Sequence, residues 1–151
     1  MSTMDLDFRS IPADGARLRR AAFWRLTGRI EHEQLDFKRS AGHLKEAIPA
    51  MAMSRGGVLV LGVSDERRLV GHPLDQHTLD RIHAAAYEAG VDVDVRAITV
   101  GRTPLTLVVV PAVPDRIVTT PDGRLLRRVG SANQPLRGEA VTRFVLARAL
   151  R

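Results

Sequence analysis

The chain has 151 residues, a formal net charge of +6 at pH 7 and no cysteine, with 44% hydrophobic and 26% charged residues. This composition is typical of one folded globular domain, and the lack of cysteine excludes a disulfide scaffold, a cysteine zinc site and a thiol nucleophile. The positive charge lies at the two ends, because residues 1–30 carry a net +3 and residues 124–151 a net +6, whereas residues 31–123 carry −3.

The N-terminal part is predicted to contain an irregular segment, a helix and a strand. Residues 1–13 show no periodicity and precede a single domain over residues 14–151. Asp14 is a suitable N-cap for a helix that reaches Thr27, since Gly28 follows. Its apolar positions are Leu18, Ala21, Ala22, Phe23, Trp24 and Leu26.

Residues 34–38 alternate between polar and apolar side chains, which predicts a strand. Successive side chains of a strand point to opposite faces. We therefore expect Leu35 and Phe37 to face the core, with Asp36 and Lys38 side by side on the other face.

A helix over residues 42–55 and a buried strand over residues 58–63 are predicted next. Pro49 must lie in the first turn of that helix or bend it. The strand is an unbroken apolar run, which indicates burial on both faces. Asp65 follows its C-terminal end, where side chains project into crevices.

The remaining pattern predicts further strands and two helices. They are a short strand at 69–71, a helix over 74–88, strands over 91–100 and 104–113, a hairpin of 117–120 with 125–129, and a helix over 138–150. His83 is expected to be half-buried on the first of these helices. The inward positions of the last helix are predicted to be Val141, Phe144, Val145 and Ala149. The fold class is α+β, a mixed β-sheet with helices packed over it.

Several common sites are absent from the sequence. Gly56 and Gly57 precede a strand instead of opening a helix, so neither a Rossmann site nor a P-loop is predicted, and ATP binding is the least favoured function. The five histidines show no metal-ligand spacing. Ser131 has no identifiable partner base.

Three carboxylates are candidates for a metal site. Glu31 and Asp36 lie at the entry to one strand and within it, and Asp65 ends another. Carboxylate oxygens suit Mg²⁺ or Mn²⁺, and Lys38 on the Asp36 face is placed to stabilise negative charge on a phosphate. The alternative is that Asp36 and Lys38 form a surface ion pair and that Asp65 starts a turn.

Five segments, taken in order, resemble the Schlafen AlbA-type domain. They are residues 31–38 (EHEQLDFK), 50–57 (AMAMSRGG), 61–65 (LGVSD), 69–71 (LVG) and 128–133 (RVGSAN). The similarity extends over about residues 28–147 and implies the fold of that family.

The resemblance also implies a site. In members that cleave RNA, the matching positions form a nuclease trio, here Glu31, Asp36 and Asp65. The lysine of the family pattern corresponds to Lys38. Asp36 replaces a glutamate of the family pattern. Met53 and Ser64 replace an asparagine and an aspartate.

We therefore predict a nucleic-acid-binding domain that acts as a metal-dependent endoribonuclease on structured RNA such as tRNA, with Mg²⁺ or Mn²⁺ held by the three acids. The alternative is a non-catalytic DNA- or RNA-binding regulatory module. RNA is the favoured partner, and DNA is the second choice. The predicted nucleic-acid contacts are Lys38, Arg39, Arg124, Arg127, Arg128, Asn133 and Arg137.

The sequence also predicts a cellular location and an oligomeric state. The apolar run at residues 56–63 is too short to span a bilayer, and the acidic N-terminus is unlike a signal peptide, so we expect a soluble, cytoplasmic protein without membrane contact. Phe23 and Trp24 give the first helix more apolar surface than packing along one narrow stripe requires. A single domain of this kind also offers only a short basic surface to nucleic acid. These features favour a homodimer; the alternative is that both rings cover the domain's own sheet.

Overall fold

The computed structural model describes residues 6–150, so residues 1–5 of the predicted irregular segment and Arg151 lie outside the described residues. The described chain begins with a short 3₁₀ helix at Phe8–Ser10. The strands are β1 (Arg17–Leu18), β2 (Leu35–Lys38), β3 (Gly57–Leu61), β4 (Asp94–Val100), β5 (Thr103–Val110), β6 (Leu126–Val129) and β7 (Ala132–Pro135). The α-helices are α1 (Arg20–Thr27), α2 (Leu44–Ala52), α3 (Gln76–Ala89) and α4 (Glu139–Ala149). The predicted α+β class is confirmed.

The central sheet has five strands in the order β1-β4-β5-β3-β2. It is mixed, because β2 runs parallel to β3 and β1 parallel to β4, whereas β5 is antiparallel to both of its neighbours. The side chains of β3 divide between two cores: Leu59 and Leu61 pack with α2 and α3, and Val58 and Val60 pack with Phe23 of α1. The prediction that this strand is buried on both faces is confirmed.

The first helix is shorter than predicted. Asp14 does not cap it, because its carboxylate accepts a hydrogen bond from the Ala97 amide at 2.7 Å. Leu18 belongs to β1 and pairs with Val100 at the sheet edge. Residues 17–18 therefore pair with the edge of β4 as a strand, although their local periodicity predicts a helix.

The aromatic residues of α1 cover the protein's own sheet. Phe23 is 1% exposed, and Trp24 meets the ring of Phe37 edge-on with centroids 5.9 Å apart. The surplus apolar surface on which the homodimer expectation depended is therefore used within the domain.

The C-terminal hairpin pairs differently from the prediction. Asp122 and Gly123 do form a turn, with the Gly123 amide donating to the carbonyl of Thr120. However, β6 pairs with β7 instead of with residues 117–120. The Val118 amide donates to the sulfur of Met53, so the segment before the turn packs on the end of α2 and is not available for strand pairing.

Helix faces were predicted less well. Pro49 lies inside α2, beyond the first turn. His83 of α3 is exposed, not half-buried, and Val145 and Ala149 of α4 are exposed instead of inward.

The short strand expected at residues 69–71 is reduced to a single bridge between Leu69 and Val63. None of the helices within residues 6–150 has the length and apolar character needed to span a bilayer.

Candidate functional site

The polar face of β2 carries a buried carboxylate between two cations. Asp36 is 7% exposed. The ammonium Nζ of Lys38 lies 3.1 Å from one of its oxygens, and Nη2 of Arg128 lies 3.5 Å from the other. The predicted pairing of Asp36 with Lys38 on one face is confirmed, and Arg128 joins it from β6.

Glu31 joins this group from the turn before β2. Its Oε2 accepts from the Phe37 amide at 2.9 Å, and its Oε1 lies 3.3 Å from Nη2 of Arg67. The carboxyl group of Glu31 also hydrogen-bonds to that of Asp36. We call Glu31, Asp36, Lys38, Arg67 and Arg128 the acid–cation network.

The two carboxyl groups of this network differ in acidity. Burial, and then the hydrogen bond to Asp36, raise the pKa of Glu31 above its ordinary value. Burial would also raise the pKa of Asp36, but the hydrogen bond from Glu31 and the charges of Lys38 and Arg128 outweigh it and lower that pKa. Asp36 is therefore the more acidic of the two groups, and Glu31 can donate to it when protonated.

Arg128 is held by the protein through the two terminal nitrogens of its guanidinium. Its guanidinium donates to the carbonyls of Leu35 at 3.1 Å and His32 at 3.2 Å and to Oδ1 of Asn133 at 3.0 Å. Because Arg128 is 3% exposed, it reaches no phosphate in this conformation. Asn133 orients Arg128. Both residues, predicted as nucleic-acid contacts, have structural partners here.

The loop after β3 brings Arg67 to this network. Gly62 has a φ of +108°, and a Cβ there would lie 2.7 Å from the His72 amide nitrogen. Its N–H donates to the carbonyl of Lys38, and its carbonyl accepts from Val70 and Gly71. Glycine thus permits the fold-back that places residues 64–69 beside the start of β2.

Asp65 does not join the other two acids. Its side chain is exposed, and within residues 6–150 no group of three or more His, Asp or Glu side chains is placed to hold a metal ion. The carboxylate oxygens of Glu31 and Asp36 already face three cations and one backbone amide. The side chains present therefore do not fit a divalent metal in this arrangement.

A cleft of about 550 Å³ lies beside Arg67. We call it the arginine cleft. Its lining comprises Arg20, Ala21, Trp24, Arg29, Arg67, Arg68 and Leu69. Arg20, Arg29 and Arg68 were not among the predicted nucleic-acid contacts. The signal that would have found Arg20 and Arg29 is the +3 charge of residues 1–30 around the single tryptophan, whereas Arg68 lies outside that segment.

A second cavity, of about 480 Å³, lies between β6, α4 and the end of α2. We call it the C-terminal cavity. Its charged lining residues are Glu33, Arg55, Arg127, Arg143 and Arg148. Arg127 and Arg143 are exposed, whereas Arg148 donates to the carbonyl of Met53 at 3.1 Å and lies over the ring of Phe144.

The other predicted contact residues lie on the surface, apart from these cavities. Arg124 pairs with Asp122 at 2.9 Å and faces Glu46 at 3.9 Å. Arg39 and Arg137 are exposed. Of the predicted arginines, Arg127 alone lines one of the two cavities.

Comparison with known proteins gives one family and one fold. The sequence model of the family described as Schlafen, AlbA_2 matches residues 31–137. The crystal structure of the DIP2311 protein from Corynebacterium diphtheriae is similar, with a TM-score of 0.59 and 23% sequence identity. The alignment covers 69% of this chain and 25% of that one. No curated protein matches the chain.

Proposed function

Because this chain belongs to the Schlafen AlbA_2 family, whose domains are generally associated with nucleic-acid binding, we propose that it binds the phosphate backbone of nucleic acid as a non-catalytic module. RNA is the proposed partner, with DNA second. One observation carries the proposal: four arginines and a single glutamate line the C-terminal cavity. Guanidinium groups match phosphate oxygens in charge and in hydrogen-bonding geometry.

The arginines of this cavity have different roles. Arg148 is bound to the carbonyl of Met53 and stacked on Phe144, and Arg55 lies 3.7 Å from Glu33. These two shape the wall. Arg127 and Arg143 project from β6 and α4 and are exposed. Phosphate binding is therefore assigned to Arg127 and Arg143.

Metal-dependent RNA cleavage is the second candidate. The observation that favours it is the contact of Glu31 with Asp36 beside Lys38. Two carboxylates instead of three meet there, and cations occupy their oxygens. Since this set of ligands does not fit a metal ion, binding is the better supported function.

Salt-dependent binding tests the first proposal. Anisotropy of a labelled RNA is measured from about 50 to about 200 mM salt, where each lost phosphate contact lowers the log–log slope by about 0.7 on single strands. Arg127→Ala and Arg143→Ala should each reduce the slope by about that amount. Arg81→Ala is the matched control, because Arg81 is exposed on α3 and lines neither the arginine cleft nor the C-terminal cavity. Affinity that does not change with salt would contradict the proposal.

Cleavage is tested separately with purified protein, structured RNA, and Mn²⁺, Mg²⁺ or a chelator. The non-catalytic proposal expects intact RNA in every case. Metal-dependent cleavage that Asp65→Ala abolishes would overturn it and would restore the acidic trio as the catalytic site. Asp65 is exposed, so this substitution should leave the fold intact.

A further inference from the structure

The arginine cleft contains a planar surface that is fixed in place. The ring of Trp24 meets Phe23 edge-on at 5.1 Å and Phe37 edge-on at 5.9 Å, which limits its movement. The guanidinium of Arg29 lies 4.2 Å from the centroid of this ring. Trp24 covers one face of Arg29, and because Arg29 is exposed, its other face is open to a ligand. Arginine planes held in this way stack on nucleobases.

The cleft also concentrates positive charge. Four of its seven lining residues are arginines and none is acidic. Arg67 is partly neutralised by Glu31 at 3.3 Å, whereas Arg20 and Arg68 are exposed. Their guanidinium groups are therefore available to an anion.

The position of Arg20 is unfavourable for helix stability alone. It is the first residue of α1, follows Arg19 at the N-cap, and has no acidic residue in the same turn. The N-terminus of a helix carries partial positive charge, so cations there are destabilising. A bound phosphate would offset this repulsion.

We propose that the arginine cleft binds a single-stranded segment of nucleic acid, with a base stacked on Arg29 and phosphates held by Arg20 and Arg68. A single strand is specified because its bases are free to stack on a protein surface, whereas those of a duplex stack on each other. This rests on the proposed function, but it concerns a site that shares no lining residue with the C-terminal cavity.

The fluorescence of Trp24 reports on this cleft, because the chain has one tryptophan. The probes are single-stranded RNA and DNA of about eight nucleotides, within the usual site size, together with a duplex of the same sequence and a mononucleotide. The expected result is a saturable change of Trp24 fluorescence with the single strands, at lower concentration than with the duplex or the mononucleotide.

Substitutions separate stacking from charge. Arg29→Lys keeps the charge but loses the planar group, and should weaken single-strand binding about tenfold, the usual size of a lost stacking contact. The double substitution of Arg20 and Arg68 by alanine should weaken it further and reduce its salt dependence. Arg25→Ala is the control, because Arg25 is exposed on the same helix and does not line the cleft.

Several outcomes would overturn the proposal. One is unchanged single-strand affinity in Arg29→Lys and in the double variant. If Arg127→Ala and Arg143→Ala abolish binding in that case, the proposed function stands and the cleft proposal fails. Another is equal or tighter binding of the mononucleotide or the duplex, which would assign the cleft to free nucleotides or to paired strands. Absence of any binding would reject both proposals.

Discussion

The acid–cation network and the arginine cleft are adjacent and share Arg67, yet their charges have different surroundings. In the network, Arg128 is 3% exposed and its guanidinium faces two carbonyls, an amide oxygen and a carboxylate. In the cleft, Arg20, Arg29 and Arg68 are exposed around an aromatic ring. The partners of an arginine, and not its charge, therefore separate structural residues from candidate ligand contacts.

Arg127 and Arg128 show the same contrast within two consecutive residues. They lie on β6, where side chains alternate between faces, and the burial of the strand alternates accordingly. Arg128 points toward β2, and Arg127 is exposed at the C-terminal cavity. Equal substitutions at these two positions are therefore expected to have unequal effects.

The largest expected effect is on stability, from Arg128→Met. This substitution leaves Asp36 without its β6 cation and removes the side-chain donor to the carbonyls of His32 and Leu35, which keep only backbone donors. Removal of one partner from a buried pair is expected to lower the free energy of unfolding by about 3 kcal/mol. Urea denaturation measures it, with Arg127→Met as the control at below about 0.5 kcal/mol. Equal losses at the two positions would refute the contrast drawn between them.

Arg67 belongs to both regions, and an intermediate effect is expected there. Its Nε donates to the carbonyl of Arg29 at 2.8 Å, and its guanidinium lies over the ring of Phe37. Arg67→Ala should therefore cost about 1–2 kcal/mol of unfolding free energy.

A second variant at this position isolates the backbone contribution. Arg67 has a φ of +62°, which glycine adopts without strain. Thermal or urea unfolding of Arg67→Gly should show it to be more stable than Arg67→Ala by about 1 kcal/mol. The reverse order would show that the backbone is not strained at this residue.

A smaller effect concerns pH. The folded-state pKa of Glu31 is raised by burial and by the hydrogen bond to Asp36, so the folded protein holds this proton more tightly than the unfolded chain does. The contribution of Glu31 to stability is therefore greatest at low pH and is lost as pH rises from 4.5, its ordinary value, through the folded pKa.

Glu31→Gln removes this dependence. The free energy of unfolding of the variant, minus that of the unsubstituted protein, should increase with pH above 4.5, the ordinary value of this carboxyl. Urea titrations at a series of pH values measure the difference, which cancels the contributions of carboxyl groups that do not contact Glu31. A difference that falls with pH in this range would mean that the pKa of Glu31 is lowered in the fold.

The smallest expected stability change is in the cleft. Arg20→Ala and Arg68→Ala should each alter the free energy of unfolding by less than about 0.5 kcal/mol, because exposed side chains contribute little. The same two substitutions together should weaken single-strand binding. A large stability loss without a binding loss would place these residues with the structural arginines of the network.

The strand patterns allowed much of the sheet to be predicted. Alternation at residues 34–38 placed Asp36 beside Lys38, and the apolar run identified β3, because a strand repeats every two residues whatever its neighbours are. The helix faces were less predictable: Val145 and Ala149 are exposed since α4 lies at the edge of the fold and has no buried residue. The pairing of β6 with β7 was not predicted, because it depends on residues 117–120 packing on the end of α2 instead of pairing with β6.

The candidate site was predictable only in part, for the same reason. The sequence by itself determined the family, the α+β class and the contact of Asp36 with Lys38, since these depend on short motifs and local periodicity. The tertiary structure alone decided that Arg128 is buried against β2, that Asp65 forms no metal-binding group with Glu31 and Asp36 within residues 6–150, and that Arg20, Arg29 and Arg68 line one cleft. Such contacts join residues far apart in the chain, and their formation depends on the path of the loops, which no local pattern specifies.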